Sequence, residues 1–174
     1  MFKELNILRI FFEEPNREFN VREAARILKI SPATASKELE RLAKLGLLKS
    51  RKERMLILYK SNLEDDFYRD IKIFYNIRKI KDSGLLEALN RFYLKPAVVL
   101  FGSSAFGIDA ETSDIDLLVI SESRKEFSDL SEFEKRLKRK IQIFAVKSLK
   151  DLKNEHLINN VINGMIVQGR IKWT

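Results

Sequence analysis

The chain has 174 residues, a net charge of +8, 45% hydrophobic and 33% charged residues, no cysteine and a single histidine, His156. This composition is that of a folded globular chain and excludes a disulfide scaffold, a thiolate metal site and any mechanism that needs two imidazoles. No run approaches the ~20 apolar residues of a membrane span, and Met1-Phe2-Lys3-Glu4 does not open a secretory signal, so a cytoplasmic protein with no membrane partner is expected.

The charge is unevenly placed. Residues 1–65 hold 14 basic against 10 acidic side chains, residues 66–96 hold 7 against 4, and residues 97–174 hold 12 against 11. The basic excess therefore lies toward the N-terminal side, where a partner carrying phosphates would be attracted.

In chain order, Leu5, Ile7, Leu8, Ile10, Phe11 and Phe12 form a helical stripe that ends near Pro15. Asn20 is a good N-cap for a second helix, with Glu23 at the capping-box position. Ser31-Pro32 opens a third, serine as cap and proline at the first helical position. This helix is expected to turn Ala35, Leu39, Leu42 and Leu45 inward and to stop around Gly46. Residues 47–51 and 55–59 then read as two short strands around Lys52-Glu53-Arg54.

Residues 63–80 read as a long helix with Phe67, Ile71, Phe74 and Tyr75 on one side, and Leu85–Leu94 as a shorter one. Asp82-Ser83-Gly84 breaks the first of them, but the stretch as a whole is not rich in Gly or Ser, so a packed helical connector is expected, not a tether. The apolar run Ala97–Phe101 is a candidate buried strand. It leads into Gly102-Ser103-Ser104-Ala105-Phe106-Gly107 and a polar loop to Ser113. A second strand follows over Asp114–Ile120, then a charged helix over Ser131–Lys138 and a third strand over Ile141–Val146. Leu149–Leu152 and Glu155–Ile162 read as helical, and Gly164–Trp173 closes the chain.

Three helices followed by a β-hairpin resemble a winged helix-turn-helix over about residues 1–60, most strongly from Phe19 to Leu48. The resemblance implies that the third helix enters the major groove of double-stranded DNA. Ser31, Ala33, Thr34, Ser36 and Lys37 would then face outward, the small hydroxyl side chains suiting base edges and Lys37 and Arg41 suiting phosphates, with Lys52 and Arg54 at the wing tip reaching backbone or minor groove. A winged domain used for protein contacts is the alternative, and pairing of two copies through the connector or winged domain would give a homodimer.

The most informative segment is Gly102-Ser103, ten intervening residues, then Asp114-Ile115-Asp116, with an apolar strand on either side. Side chains alternate along a strand, so Asp114 and Asp116 project to one face while Ile115 and Leu117 take the other. Two adjacent carboxylates repel unless a divalent cation sits between them, and Mg2+ suits such oxygen ligands. Gly102 lets the backbone approach a phosphate, Ser103 offers a hydroxyl and an amide N–H at the strand-to-helix turn, and Gly107 allows the turn beyond. A surface turn with an Asp-Ile-Asp strand is the bland alternative. Asp109 and Glu111, in the loop between, are expected to be solvated charges, and His156 a surface or packed histidine.

"LFGSSAFG…SDIDLLVI" resembles the signature of the DNA polymerase β-like nucleotidyltransferase superfamily, in particular its minimal members, over about residues 97–120. The resemblance implies Mg2+ or Mn2+ on Asp114 and Asp116, and a nucleoside triphosphate as ligand or substrate at Gly102, Ser103, Ser104 and Gly107. Members that transfer a nucleotide usually carry a third carboxylate on the next strand. Aligning "LKRKIQIFAV" with that strand puts Gln142 there, and an amide cannot accept a proton at neutral pH. Glu134 or Glu155 could substitute from elsewhere.

The expected protein is thus a two-domain α/β (α+β) chain. It has a winged helix-turn-helix over 1–62, a helical connector over 63–95, and over 96–174 a nucleotidyltransferase fold whose mixed sheet is flanked by helices. Its function is then a DNA-binding regulator that responds to a metal–nucleotide. The alternative is an enzyme that transfers a nucleoside monophosphate from an NTP to a protein, nucleic acid or small-molecule hydroxyl. A narrower form of the enzyme resembles the minimal nucleotidyltransferase antitoxins, which adenylylate a partner toxin but usually lack a winged domain. A scaffold with both sites vestigial is a third reading.

Overall fold

The computed structural model describes residues 3–123 and 125–171. The side chain of Leu5, expected on the first stripe, and Trp173, expected at the end of the chain, lie outside the described residues, as do Met1 and Phe2. The chain divides into two compact units, Met1–Tyr75 and Asn76–Thr174. The stretch expected as a connector over 63–95 is shared between them. Among the described residues no helix is long and apolar enough to cross a membrane.

The first unit begins with α1 (Lys3–Glu13), which buries Ile7, Leu8, Ile10, Phe11 and Phe12. A two-residue strand, β1 (Phe19–Asn20), precedes α2 (Val21–Leu28). The Asn20 side chain accepts the Glu23 amide at 3.0 Å. The Glu23 carboxylate goes to Arg17 instead of closing a capping box. In α3 (Pro32–Lys44) Ser31 caps the first turn as expected, and Ala35, Leu39 and Leu42 are buried. Leu45, expected inside, is 55% exposed, because it sits past the last helical turn and Leu47 takes the core position. Strands β2 (Leu48–Glu53) and β3 (Leu56–Ser61) pair antiparallel, and β1 adds to β3, giving the order β1-β3-β2.

Helix α4 (Asp66–Asp82) starts where Asp65 accepts the Tyr68 amide at 2.7 Å. Its buried face is rotated from the expected one. Phe67 and Phe74 are exposed, while Tyr68 and Lys72 are fully buried. Tyr68 outcompetes Phe67 for the interior because its hydroxyl has partners there: it donates to the Phe11 carbonyl at 3.0 Å and lies 2.9 Å from the Ser61 hydroxyl. Burial and the neighbouring Glu13 carboxylate, which accepts its hydroxyl, push the Tyr75 phenol well above its usual range.

The second unit takes the rest of α4 and α5 (Leu85–Tyr93), then β4 (Ala97–Phe101), β5 (Ile115–Ile120), α6 (Ser131–Leu137), β6 (Ile141–Val146), α7 (Glu155–Ile162) and β7 (Met165–Gln168). The sheet order is β6-β5-β4-β7, with β5–β6 parallel and the other two pairs antiparallel. It is a mixed sheet. Alternation divides its side chains between two cores. Val98, Leu100, Ile115, Leu117 and Ile141 pack with Leu85 and Leu89 of α5 and Phe133 and Leu137 of α6. Val99, Phe101 and Leu118 pack on the other side with Val161 of α7.

Candidate functional site

Strand β4 runs straight into a 3-10 turn over Gly102–Ala105, beside the first residues of β5. Phe101 pairs with Asp116 across the antiparallel ladder, and Asp116 pairs with Gln142 across the parallel one. Turn, Asp pair and Gln142 thus meet at one end of three adjacent strands. Gly102 has φ +68°, and a Cβ there would collide with the Asp116 carboxylate. Only glycine allows both the left-handed backbone and that close approach. Ser103 is half-buried, and its hydroxyl makes no hydrogen bond within the described residues. Gly107, with φ +66°, turns the chain after the 3-10 segment.

The two carboxylates are not equivalent. Burial pushes the Asp116 carboxyl above the usual range, the charge of Asp114 pushes it further, and Arg139 partly opposes both. This is the electrostatic condition that a divalent cation between the two would relieve. The Gln142 amide donates to Asp114 Oδ2 at 2.6 Å. The residue facing the pair from the next strand is therefore a hydrogen-bond donor, as the alignment of β6 anticipates. No group of three His, Cys, Asp or Glu side chains clusters among the described residues. Neither candidate substitute completes the pair. Glu134 accepts the Ile141 amide at 3.1 Å, and Glu155 is exposed in the first turn of α7.

What the sequence reading missed is the clamp beneath the site. Asp109 is buried, not solvated. It accepts Arg139 Nη1 at 2.8 Å and Asn76 Nδ2 at 2.8 Å. The same arginine donates to the Ser113 carbonyl at 2.6 Å, the Asp114 carbonyl at 2.7 Å and the Ser104 hydroxyl at 2.8 Å. One guanidinium, through the fixed fork of its donors, therefore ties the glycine turn to the start of the Asp strand. Ser104, expected at a phosphate, is fully buried and spends its hydroxyl on Arg139. It builds the loop. Glu111 and His156 are exposed, as expected.

In the first unit, Ser31 accepts the Thr34 amide at 3.0 Å, and the two hydroxyls lie 2.8 Å apart. These side chains are engaged in the cap. Arg41 donates to Glu38 at 3.0 Å. Ser36 and Lys37 are exposed. Lys52, expected at a wing tip, sits within β2 opposite Ile57, and the turn itself falls on Arg54 (φ +54°) and Met55. Lys37, Lys52 and Arg54 have no ion-pair partner among the described residues, whereas Arg51 is held by Glu18 at 2.6 Å.

No curated protein matches the chain. Residues 82–166, just under half of it, match the family model of the nucleotidyltransferase domain and contain every residue of the Gly102–Gln142 site. Such domains generally use an NTP and a divalent metal. That similarity supports, at the level of the family, a function related to nucleotidyl transfer for the second unit.

Proposed function

We propose that the second unit binds a metal–nucleotide without turning it over, and that the first unit is a winged helix-turn-helix whose binding to double-stranded DNA responds to that ligand. The observation that carries this reading is Gln142. It stands in register with Asp116 and donates to Asp114, where nucleotide transfer would call for a carboxylate to take the proton of an attacking hydroxyl. An amide holds a ligand but not that proton.

The donor set fits a hard cation. Asp114 and Asp116 would hold Mg2+ or Mn2+, with the Gly102-Ser103 turn at the phosphates. When bound, the cation would neutralise the carboxylate pair and offset the negative charge of the nucleotide's phosphates. The chain's own contribution is positional: Arg139 fixes the turn and the strand, and Gln142 orients Asp114. The intact Asp pair and glycine turn favour a second reading, transfer of a nucleoside monophosphate to a hydroxyl acceptor.

For the first unit, support comes from the element order α1-β1-α2-α3-β2-β3 and from Lys37 on α3 and Lys52 and Arg54 on the hairpin, which have no ion-pair partner among the described residues. On this reading Lys37 would contact phosphates, and Lys52 and Arg54 the backbone or minor groove. The test is fluorescence anisotropy with labelled duplex fragments across a KCl series, with and without Mg2+ and NTP. Lys52→Ala/Arg54→Ala should weaken binding roughly tenfold and flatten the log–log salt slope by about 2. Mg2+ plus NTP should shift the wild-type affinity but not that of Asp114→Ala/Asp116→Ala. Binding unchanged by the hairpin variant removes the wing assignment, and a nucleotide-independent affinity removes the regulation.

A further inference from the structure

Helix α4 carries a stripe of exposed side chains: Phe67, Asp70, Phe74, Arg78 and Lys81. At 3.6 residues per turn these five positions fall within about 80° of one another around the helix axis. Tyr68, Lys72, Asn76 and Ile80, all buried, fall on the opposite face. The helix is thus fully partnered on one side and open on the other, and the open side holds two phenylalanines two turns apart, 60% and 48% exposed. Two such rings would release apolar surface from water if something covered them.

The charges around the rings say what fits. Asp70 and Lys81 have no ion-pair partner among the described residues. Arg78 donates to Asp82 at 2.6 Å, with both side chains about half exposed, and an exposed pair of this kind holds its arginine weakly. The stripe is symmetric about Phe74. Asp70 and Arg78 stand four residues to either side of it, and Phe67 and Lys81 seven residues to either side. A second α4 laid antiparallel across Phe74 therefore sets Phe74 on the partner's Phe74, Asp70 on the partner's Arg78 and Phe67 on the partner's Lys81. These are a ring pair, an ion pair and a cation over a ring, and the last two occur twice by symmetry. Parallel pairing in register would instead set Asp70, Arg78 and Lys81 each against its own like charge.

We infer that the outer face of α4 is a self-association surface, on which a second copy of this chain docks its own α4 antiparallel with Phe74 at the twofold axis. This surface is independent of the nucleotide and DNA readings. The contact from Phe67 to Lys81 is about 21 Å long. That is at the small end for a stable interface, so a dissociation constant in the micromolar range is expected.

The test is sedimentation velocity of the full chain over a micromolar concentration series. Wild type should form a reversible dimer. Phe74→Glu, which sets two like charges at the axis, should weaken it at least tenfold and leave the circular dichroism spectrum unchanged. Asp70→Arg should weaken it at least tenfold as well, and Asp70→Arg/Arg78→Asp should restore it to within about threefold of wild type. The chain has no cysteine, so single substitutions report the register by oxidation. Phe74→Cys should give a disulfide-linked dimer, whereas Phe67→Cys, at the more exposed position but about 21 Å from its own copy, should not. A wild type that stays monomeric, or a dimer indifferent to Phe74→Glu, would overturn the surface. Failure of the charge swap to restore association, or equal linkage of the two cysteine variants, would overturn the antiparallel register.

Discussion

Asp109→Ala removes one carboxylate from beneath the site, and the structure sets how much that should cost. The Asp109 and Arg139 side chains are 3% and 12% exposed. Truncation leaves Arg139 Nη1 and Asn76 Nδ2 without the acceptor each now has at 2.8 Å. Breaking a buried ion pair by removing one partner costs about 3–5 kcal/mol. Arg139 keeps three other acceptors, namely Ser113 O, Asp114 O and Ser104 Oγ. The lower end, about 3 kcal/mol, is therefore expected, and for a unit of about a hundred residues this corresponds to a fall in melting temperature of about 15 °C. Differential scanning calorimetry of the full chain should show the second unit's transition fall by that amount while the first unit's stays in place. Asp109→Asn, which keeps an acceptor but not the charge, should lose about half as much. Glu111→Ala, an exposed charge in the same loop, should change stability by less than about 0.5 kcal/mol. Equal effects of Asp109→Ala and Glu111→Ala would refute the clamp.

Two further substitutions probe the site itself. Asp116 is ionised at a cost in the folded state, since burial and then the charge of Asp114 raise its carboxyl above the usual carboxylate range. A raised acid destabilises the fold above its folded-state pKa and not below its unfolded one. Asp116→Asn should therefore raise the melting temperature of the metal-free protein at pH 7. The gain should vanish as pH falls below about 4, and Mg2+ should stabilise wild type but not the variant; a pH-independent gain in a thermal-shift series would contradict the charge argument. Gly102→Ala forces a side chain into the left-handed region and against Asp116. It should cost about 1–2 kcal/mol of stability and weaken Mg2+–nucleotide binding at least tenfold by titration, and unaltered binding would show that the turn does not approach the ligand.

Much of the site was legible because its signals are local. The apolar strands, the glycine turn and the Asp-x-Asp alternation all lie within residues 97–120, and laying LKRKIQIFAV on the strand where the resembled family carries its third carboxylate brought Gln142 to the pair. Asp109 was not legible. Its burial depends on Arg139 and Asn76, thirty and thirty-three residues away, and a polar loop reads the same whether its charges are solvated or paired. The engagement of the Ser104 hydroxyl was hidden for the same reason, since Arg139, which donates to it, lies thirty-five residues on, just past α6. In the first unit, hydrophobicity ranked Phe67 above Tyr68, and only the Phe11 carbonyl and Ser61 explain why the tyrosine went inside. β1 is too short for any periodicity to mark, and it exists because β3 offers it an edge.

The proposal that the second unit holds a metal–nucleotide but lacks the base for transfer can be tested by incubating the protein with α-labelled NTPs, Mg2+ and cell lysate, comparing wild type with Gln142→Asp and Asp114→Ala/Asp116→Ala. Wild type should bind nucleotide saturably without transferring label, and transfer should appear when Gln142→Asp supplies a third carboxylate. Transfer by wild type that disappears in Asp114→Ala/Asp116→Ala would contradict the proposal and establish the second unit as a working nucleotidyltransferase.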